Sequence, residues 1–286
     1  MYGRVVIGVD GRQGGRDACA LAIGVASASA TLTLTYVAVI AAVRPDTALG
    51  HATAEDLAAL LGRERELCAQ RADCVRVAAG SVAEGLETAA ARAEADLIVV
   101  GRSRRHGVDV LLAQDDARSV LRASARAVAV APYRYAEHPW PIRQIGVGVD
   151  ERAQSEVALA HAGLLAADLH AELRPLTVAT ADPSAGVRGT APRPTAALHA
   201  LPTHGADGGR SGSPGGENAV VRELRRFGRD VDLLVCGSRR PGTLRRALTY
   251  SVSERLARRL SAPLLIAPPS DRDAVRRWAA RAEAMR

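Results

Sequence analysis

The sequence contains no lysine, so all 38 of its basic residues are arginines, and the chain of 286 residues carries a formal net charge of +7. A P-loop needs a lysine on the β- and γ-phosphates of its nucleotide, and the absence of lysine excludes that class of site. Only 3% of the residues are aromatic. The sequence therefore lacks the usual stacking platforms for single-stranded nucleic acid, and its core must be built from Ala, Val, Leu and Ile.

Cysteine is scarce and dispersed. The four cysteines are Cys19, Cys68, Cys74 and Cys236, and no CxxC or Cys/His ligand spacing occurs among them. Cys19 and Cys236 fall within apolar patterns, so we expect buried thiols in a reducing compartment. This distribution argues against a zinc site and against a disulfide scaffold.

Long apolar runs are also missing. No segment reaches the ~18 uncharged apolar residues of a membrane span. The first ten residues, MYGRVVIGVD, enter a strand pattern directly, without a basic and then apolar leader. We therefore expect no membrane association and a cytoplasmic protein.

Short apolar runs alternate with helical periodicity through the first half of the chain, which predicts an open parallel α/β sheet because parallel strands need helical crossovers. The predicted strands are 4–10, 31–40, 75–78, 97–100 and 127–132. The predicted helices are 15–29, 54–71, 82–95 and 115–124. We expect Ser81 to cap the third helix, and Glu64 and Glu66 to lie on a solvated face of the second.

The pattern then restarts. Matching landmarks recur at an offset of 140 residues for Asp10 and Asp150, and of 136 for Gly101 and Gly237. Such closely matching offsets indicate an internal duplication. The predicted domains are 1–132 and 142–269, joined by a linker at 133–141, with a flexible Gly/Pro-rich insert at 181–216 and a terminal helix in 270–286.

These features together resemble the universal stress protein family in its tandem two-domain form. The resemblance is carried by Gly8-Val-Asp10, Gly148-Val-Asp150, Gly80-Ser81, the loops after Gly101 and Gly237, and the Val-Ala-Pro and Ile-Ala-Pro endings. It implies two tandem open five-stranded parallel sheets with helices on both faces, a Rossmann-like fold of the adenine nucleotide alpha hydrolase-like type. It also implies that the halves pair as an intramolecular pseudo-dimer through their last strands, and that homodimers form.

The members of this family that bind ATP share the pattern G-x2-G-x9-G-[ST] in the loop after the fourth strand. Its glycines let backbone N–H groups approach phosphates, and its end places donors at a helix N-terminus. In the second half Gly237 is retained, Arg240 and Tyr250 replace the later glycines, and Ser251 keeps the hydroxyl. In the first half only Gly101 is retained: Arg104, Gln114 and Asp115 stand at the other positions.

The candidate cofactor-binding residues follow from this resemblance. They are Asp150, Gly237, Arg240, Gly242, Ser251 and Ser253 in the second half, and Asp10 and Gly101 in the less well preserved first half. Each has a structural alternative: strand-end turns for the aspartates, a solvated basic face for the arginines and helix caps for the serines. The cofactor would be ATP or AMP with Mg²⁺. His161 reads as an ordinary helix residue without a partner.

Two functions remain open. The degenerate glycines favour a stress-response regulator that acts through protein surfaces on an unidentified protein partner. The alternative is an ATP- or AMP-binding regulator that uses the second-half cleft. No G-x-S-x-G nucleophile motif occurs, so we expect no enzymatic activity. Net positive charge permits nucleic-acid binding, but no recognised motif accompanies it.

Replacing Tyr250 by glycine tests the interpretation of the degenerate loop. Because a tyrosine side chain at a close-approach position obstructs the phosphates, Tyr250→Gly is expected to create or strengthen ATP binding in the second half. Isothermal titration with ATP and Mg²⁺ measures the change. A variant that binds no better than the parent protein shows that obstruction is not the defect.

Overall fold

The structure is a computed structural model that describes residues 2–40, 59, 61–68, 72–102, 116–149, 153–177, 204–205, 219–238 and 252–284. The chain divides into two compact units. The first is formed almost entirely by residues 1–141 and the second almost entirely by residues 142–286. The predicted domain boundaries themselves stay predictions.

The first unit contains five parallel strands in the order β3-β2-β1-β4-β5. The strands are β1 Tyr2–Gly8, β2 Ala26–Val39, β3 Ala72–Ala79, β4 Leu97–Gly101 and β5 Ala127–Ala131. The helices are α1 Gln13–Val25, α2 Gly62–Leu67, α3 Val82–Arg92 and α4 Asp116–Ala123. Helix α1 packs with α2, and α3 packs with α4, so both faces of the sheet are covered, as apolar parallel strands require.

Most of the predicted elements of this unit are confirmed, but α1 is shorter than predicted. It ends at Val25, and β2 begins at the next residue. The long β2 starts early because Ala26 pairs with Tyr2 across a register shift in β1. The predicted cap of α3 is confirmed: Ser81 Oγ accepts the Glu84 N–H at 3.2 Å.

An aspartate at the start of β4 holds the start of β1. The Asp96 carboxylate accepts the backbone N–H groups of Gly3 at 2.9 Å and Arg4 at 3.1 Å. Its own N–H donates to the Arg4 carbonyl at 2.9 Å. Backbone donors at the open end of a strand are satisfied in this way, and the register of the central strand pair is fixed.

The second unit repeats this fold. Its strands are β6 Gln144–Val149, β7 Glu172–Thr177, β8 His204–Gly205, β9 Leu233–Gly237 and β10 Leu264–Ala267, in the order β10-β9-β6-β7-β8. Its helices are α5 Ala153–Leu169, α6 Ala219–Phe227, α7 Val252–Arg259 and α8 Arg272–Ala284. The two-residue β8 takes the place of a third strand within the predicted insert 181–216, whose other residues lie outside the described ranges.

The aspartate contact is duplicated as well. Asp232, just before β9, accepts the N–H groups of Arg143 at 2.8 Å and Gln144 at 2.9 Å. The Asp232 N–H donates to the Gln144 carbonyl at 2.8 Å. Asp96 and Asp232 therefore make the same three hydrogen bonds in the two units, which supports the duplication inferred from the sequence.

The predicted linker is folded against the first unit. Asp17 of α1 is fully buried and accepts the backbone N–H groups of Arg134 at 2.8 Å and Ala136 at 2.9 Å. These residues form a 3-10 turn in which Tyr135 is buried and meets the edge of the Trp140 ring. A single carboxylate thus holds the segment that follows β5.

The expectation that His161 has no partner is wrong. His161 Nε2 lies 3.2 Å from Asp271 Oδ2, and Asp271 Oδ1 accepts the Ala274 N–H at the start of α8. Helix α8 packs along α5, where Arg281 also pairs with Asp168 at 2.8 Å. The pKa of Asp271 is lowered from its ordinary 3.8 to about 2, chiefly by the hydrogen bond with His161 and also by the Ala274 N–H and the charge of Arg277.

This lowered pKa predicts how stability changes in acid. Because the folded protein favours ionised Asp271, the contact with His161 stabilises it above about pH 4, and this contribution is lost as the pH falls towards 2. His161→Gln removes the charge of the imidazole and should lower that pH-dependent stability by part of the roughly 2 kcal/mol that the whole shift represents. Chemical denaturation at several pH values between 2 and 5 measures it.

His138→Gln is the matched control, because His138 is exposed and lies in the first unit. We expect its pH profile to follow that of the parent protein. If the profile of His161→Gln also runs parallel to the parent, the ion pair does not set the pKa of Asp271.

Candidate functional site

The predicted site lies where the order of strands reverses. In the first unit the sheet extends from β1 in one direction through β2 and in the other through β4, and open α/β sheets bind ligands at the carboxyl edge of such a switch point. Asp10 follows β1, and Gly101 ends β4. The structure therefore brings the two predicted residues of the first half to the same edge.

Asp10 acts as a turn residue. Its Oδ1 accepts the Arg12 N–H at 3.1 Å, and Gly11 between them has a φ of 73°, a conformation that glycine adopts without strain. Asp10 does not cap α1 itself, because Arg12 is the cap residue and makes no side-chain capping hydrogen bond. The structural alternative for Asp10 accounts for its position, and its side chain remains exposed.

Gly101 has a packing role. A Cβ atom added to Gly101 would stand 1.8 Å from the Gly14 carbonyl oxygen and 2.7 Å from the Gly14 Cα. No side chain fits there, because the first turn of α1 lies directly against the end of β4. This close approach explains why the glycine is present without any appeal to phosphate binding.

Glu64 is the site residue that sequence reasoning missed. It was expected on a solvated face, but it is only 1% exposed. Its Oε1 lies 3.3 Å from the point where a Cβ on Gly15 would stand, so the carboxyl group sits beside the start of α1. The sequence did carry a signal, because Leu61, Glu64 and Cys68 recur at helical spacing and all three are buried.

The Glu64 carboxyl group is only partly compensated. Among the residues that the structure describes, no donor reaches its Oε1. Burial raises the pKa of Glu64 above its ordinary value, and the charge of Asp10 adds to this effect. A hydrogen bond from its own backbone N–H and the charges of Arg16 and Arg63 oppose it. An acidic group therefore lies beside the start of α1 and next to Asp10, at the carboxyl edge of the sheet.

In the second unit the described part of the site is small. Gly237 ends β9, and the Ser238 N–H donates to the Ala267 carbonyl at 3.1 Å. Ser253 lies in the first turn of α7, which begins at Val252. The four other predicted residues of this half lie outside the described ranges: Asp150, Arg240, Gly242 and Ser251.

An open groove of about 420 Å³ lies between α1, α2 and the 3-10 turn of the first unit. Charged side chains of both signs line it, including Arg16, Arg63, Glu66 and Glu137. None of the predicted site residues contributes to its lining, so it is a separate surface feature.

Two further properties bear on function. Within the described ranges, no cluster of three or more His, Cys, Asp or Glu side chains is arranged to hold a metal ion. None of the helices described is both long enough and apolar enough to cross a membrane.

The fold and the site define a duplicated parallel α/β protein whose predicted sites lie at the carboxyl edges of its sheets. The chain belongs to the universal stress protein family, whose model matches residues 1–132 and 216–268, and the predicted family is confirmed. No curated protein matches the sequence.

Solved structures with similar folds cover nearly the whole chain. A universal stress protein from Archaeoglobus fulgidus DSM 4304 aligns with a TM-score of 0.60 and 14% identity over 94% of this chain and 97% of its own. A putative universal stress protein from Pseudomonas aeruginosa UCBPP-PA14 aligns with a TM-score of 0.60 and 15% identity over 99% and 98%. At such identities the similarity establishes the fold alone.

The close contact at Gly101 yields a mutational prediction. Gly101→Ala should destabilise the first unit by about 1–3 kcal/mol or more, because two backbones must separate to admit a methyl group. Gly62→Ala is the matched control, since nothing lies within 4 Å of a Cβ added there. Urea denaturation compares the two. Equal stability of both variants would show that α1 does not approach β4 so closely.

Proposed function

We propose that this protein is a non-catalytic stress-response regulator that acts through its protein surfaces, and that its nucleotide sites have degenerated. The observation that carries the proposal is the buried carboxyl group of Glu64 beside Gly15 and near Asp10. A cleft that accepts a nucleoside triphosphate needs backbone donors and positive potential at this kind of edge. In the first unit an acidic side chain is already there.

The retained glycine of the first unit does not weaken this proposal. Gly101 meets the backbone of Gly14, so packing alone requires it. With Asp115 in place of the hydroxyl residue, a carboxylate also stands where the family loop offers a phosphate contact.

The second unit carries the alternative, an ATP- or AMP-binding regulator. Helix α7 begins at Val252, directly after the Ser251 of the sequence pattern, and a helix N-terminus at this point suits an anion. Under this alternative Asp150, Gly237, Arg240 and Ser251 hold the nucleotide. Arg240 and Tyr250 in place of glycines count against it.

The surfaces through which the protein acts are part of the proposal. The family resemblance favours pairing of the two halves as a pseudo-dimer, formation of a homodimer and binding of a protein partner in the cytoplasm. Light scattering coupled to size exclusion measures the oligomeric state.

Thermal denaturation in the presence of ATP, ADP and AMP, each with Mg²⁺, tests the proposal. A nucleotide at 100 times its Kd would stabilise the protein by roughly 2.7 kcal/mol, and we expect no such change for any of the three. A clear stabilisation of the parent protein by one of them contradicts the proposal and favours the alternative.

Glu64→Gln sharpens the same experiment. The substitution keeps the shape of the side chain and removes its acidity. A response to ATP that appears only in Glu64→Gln supports exclusion by the carboxyl group of the first unit. Ser253→Ala added to Glu64→Gln serves as the control, because loss of a second-unit hydroxyl should leave the response to ATP unchanged.

A further inference from the structure

Two cysteines of the first unit are in contact although they lie far apart in the sequence. Cys19 is on α1 and is fully buried, and Cys68 directly follows α2 as its C-cap and is 3% exposed. A hydrogen bond joins their thiols, and neither is in a disulfide. Two thiols in contact can be joined by a disulfide when the backbone positions of the two cysteines suit its geometry.

The hydrogen bond makes the two thiols unequal. Cys19 donates its S–H to the sulfur of Cys68. This contact raises the pKa of Cys19, as does burial, and it lowers the pKa of Cys68 against the opposing effect of burial. Because the thiolate is the reactive form, Cys68 is the better nucleophile and Cys19 keeps its proton.

The helix that precedes Cys68 contains a buried polar atom without a hydrogen-bond partner. Within the described residues helix α2 spans Gly62–Leu67, and its buried Glu64 leaves Oε1 without a donor in the described part of the chain. A buried polar atom without a partner favours states in which water can reach it. Local opening of α2 therefore offers an oxidant a way to Cys68 that the closed structure does not.

We propose that Cys19 and Cys68 are a redox modification site that forms a reversible intramolecular disulfide on reaction with a hydroperoxide. The Cys68 sulfur attacks the terminal oxygen of the hydroperoxide and the O–O bond breaks. The proton of Cys68 leaves with the alcohol or water that departs, and Cys68 becomes a sulfenic acid. The peroxide is reduced by two electrons and the sulfur is oxidised by two.

Cys19 completes the reaction. Its sulfur attacks the sulfenic sulfur of Cys68, the S–S bond forms and the S–O bond breaks. The hydroxyl group departs with the Cys19 proton as water. Two thiols and one hydroperoxide thus give one disulfide, one alcohol and one water, and a dithiol reverses the reaction by exchange.

The disulfide would link α1 to α2 close to the edge of the cleft. Cys19 lies one turn after Gly15, and Cys68 lies one turn after Glu64. A covalent bond between the cysteines would therefore hold α2 against α1 and keep Glu64 beside Gly15 at the edge of the cleft. Oxidation would fix the arrangement that the hydrogen bond now holds reversibly.

Peptide mapping of the native protein tests the proposal. The protein is treated with hydrogen peroxide, quenched in acid, denatured and labelled with a maleimide. We expect two of the four cysteines to escape labelling, a cross-linked peptide that joins Cys19 to Cys68, and four labelled cysteines again after dithiothreitol. Four labelled cysteines in the oxidised sample, or a cross-link that involves Cys74, overturn the proposal.

Variants distinguish the roles of the two thiols. In Cys19→Ala the sulfenic acid of Cys68 cannot be resolved, so dimedone should trap it, whereas Cys68→Ala should give no adduct at Cys19. Cys236→Ala, in the second unit, is the matched control and should form the disulfide at the parent rate. A dimedone adduct at Cys19 in Cys68→Ala would contradict the assigned order of attack, and the peptide map of the parent protein decides the pairing even if a variant folds poorly.

Discussion

The register between the two central strands is the constraint on which each unit depends. Asp96 ties the start of β1 to the start of β4, and Asp232 does the same for β6 and β9. The parallel register pairs Ile7 with Val99, so Asp10 and Gly101, which follow them, reach one edge of the sheet. The location of the cleft thus follows from hydrogen bonds made at the opposite edge.

Helix α1 organises what surrounds that cleft. Its first turn meets β4 at Gly101, its buried Asp17 holds the 3-10 turn after β5, and Cys19 meets α2. In a core with few aromatic residues, small side chains allow these close approaches. Buried polar groups form hydrogen bonds that specify which elements come into contact. The same helix therefore determines the packing of the unit and the chemistry at its edge.

The two units share their strand order and aspartate contact more closely than they share their predicted site residues. The aspartate contact and the strand order recur in both units, whereas the loops after Gly101 and Gly237 differ from each other and from the family pattern. Packing requires Gly101 whether or not a ligand binds. A glycine retained at a family position is therefore evidence of close backbone packing. It is evidence of ligand binding only when the neighbouring residues also suit the ligand, and the buried Glu64 does not.

The sequence by itself determined the family, the alternation of strands and helices, the duplication and the cap at Ser81, because apolar runs, helical periodicity and capping residues are local signals. Only the tertiary structure decided what meets across long separations. His161 and Asp271 are 110 positions apart, and Glu64 became buried because α1 packs over α2. The early end of α1 likewise depended on the pairing of Ala26 with Tyr2. Such contacts are set by the path of the whole chain, and no local pattern specifies them.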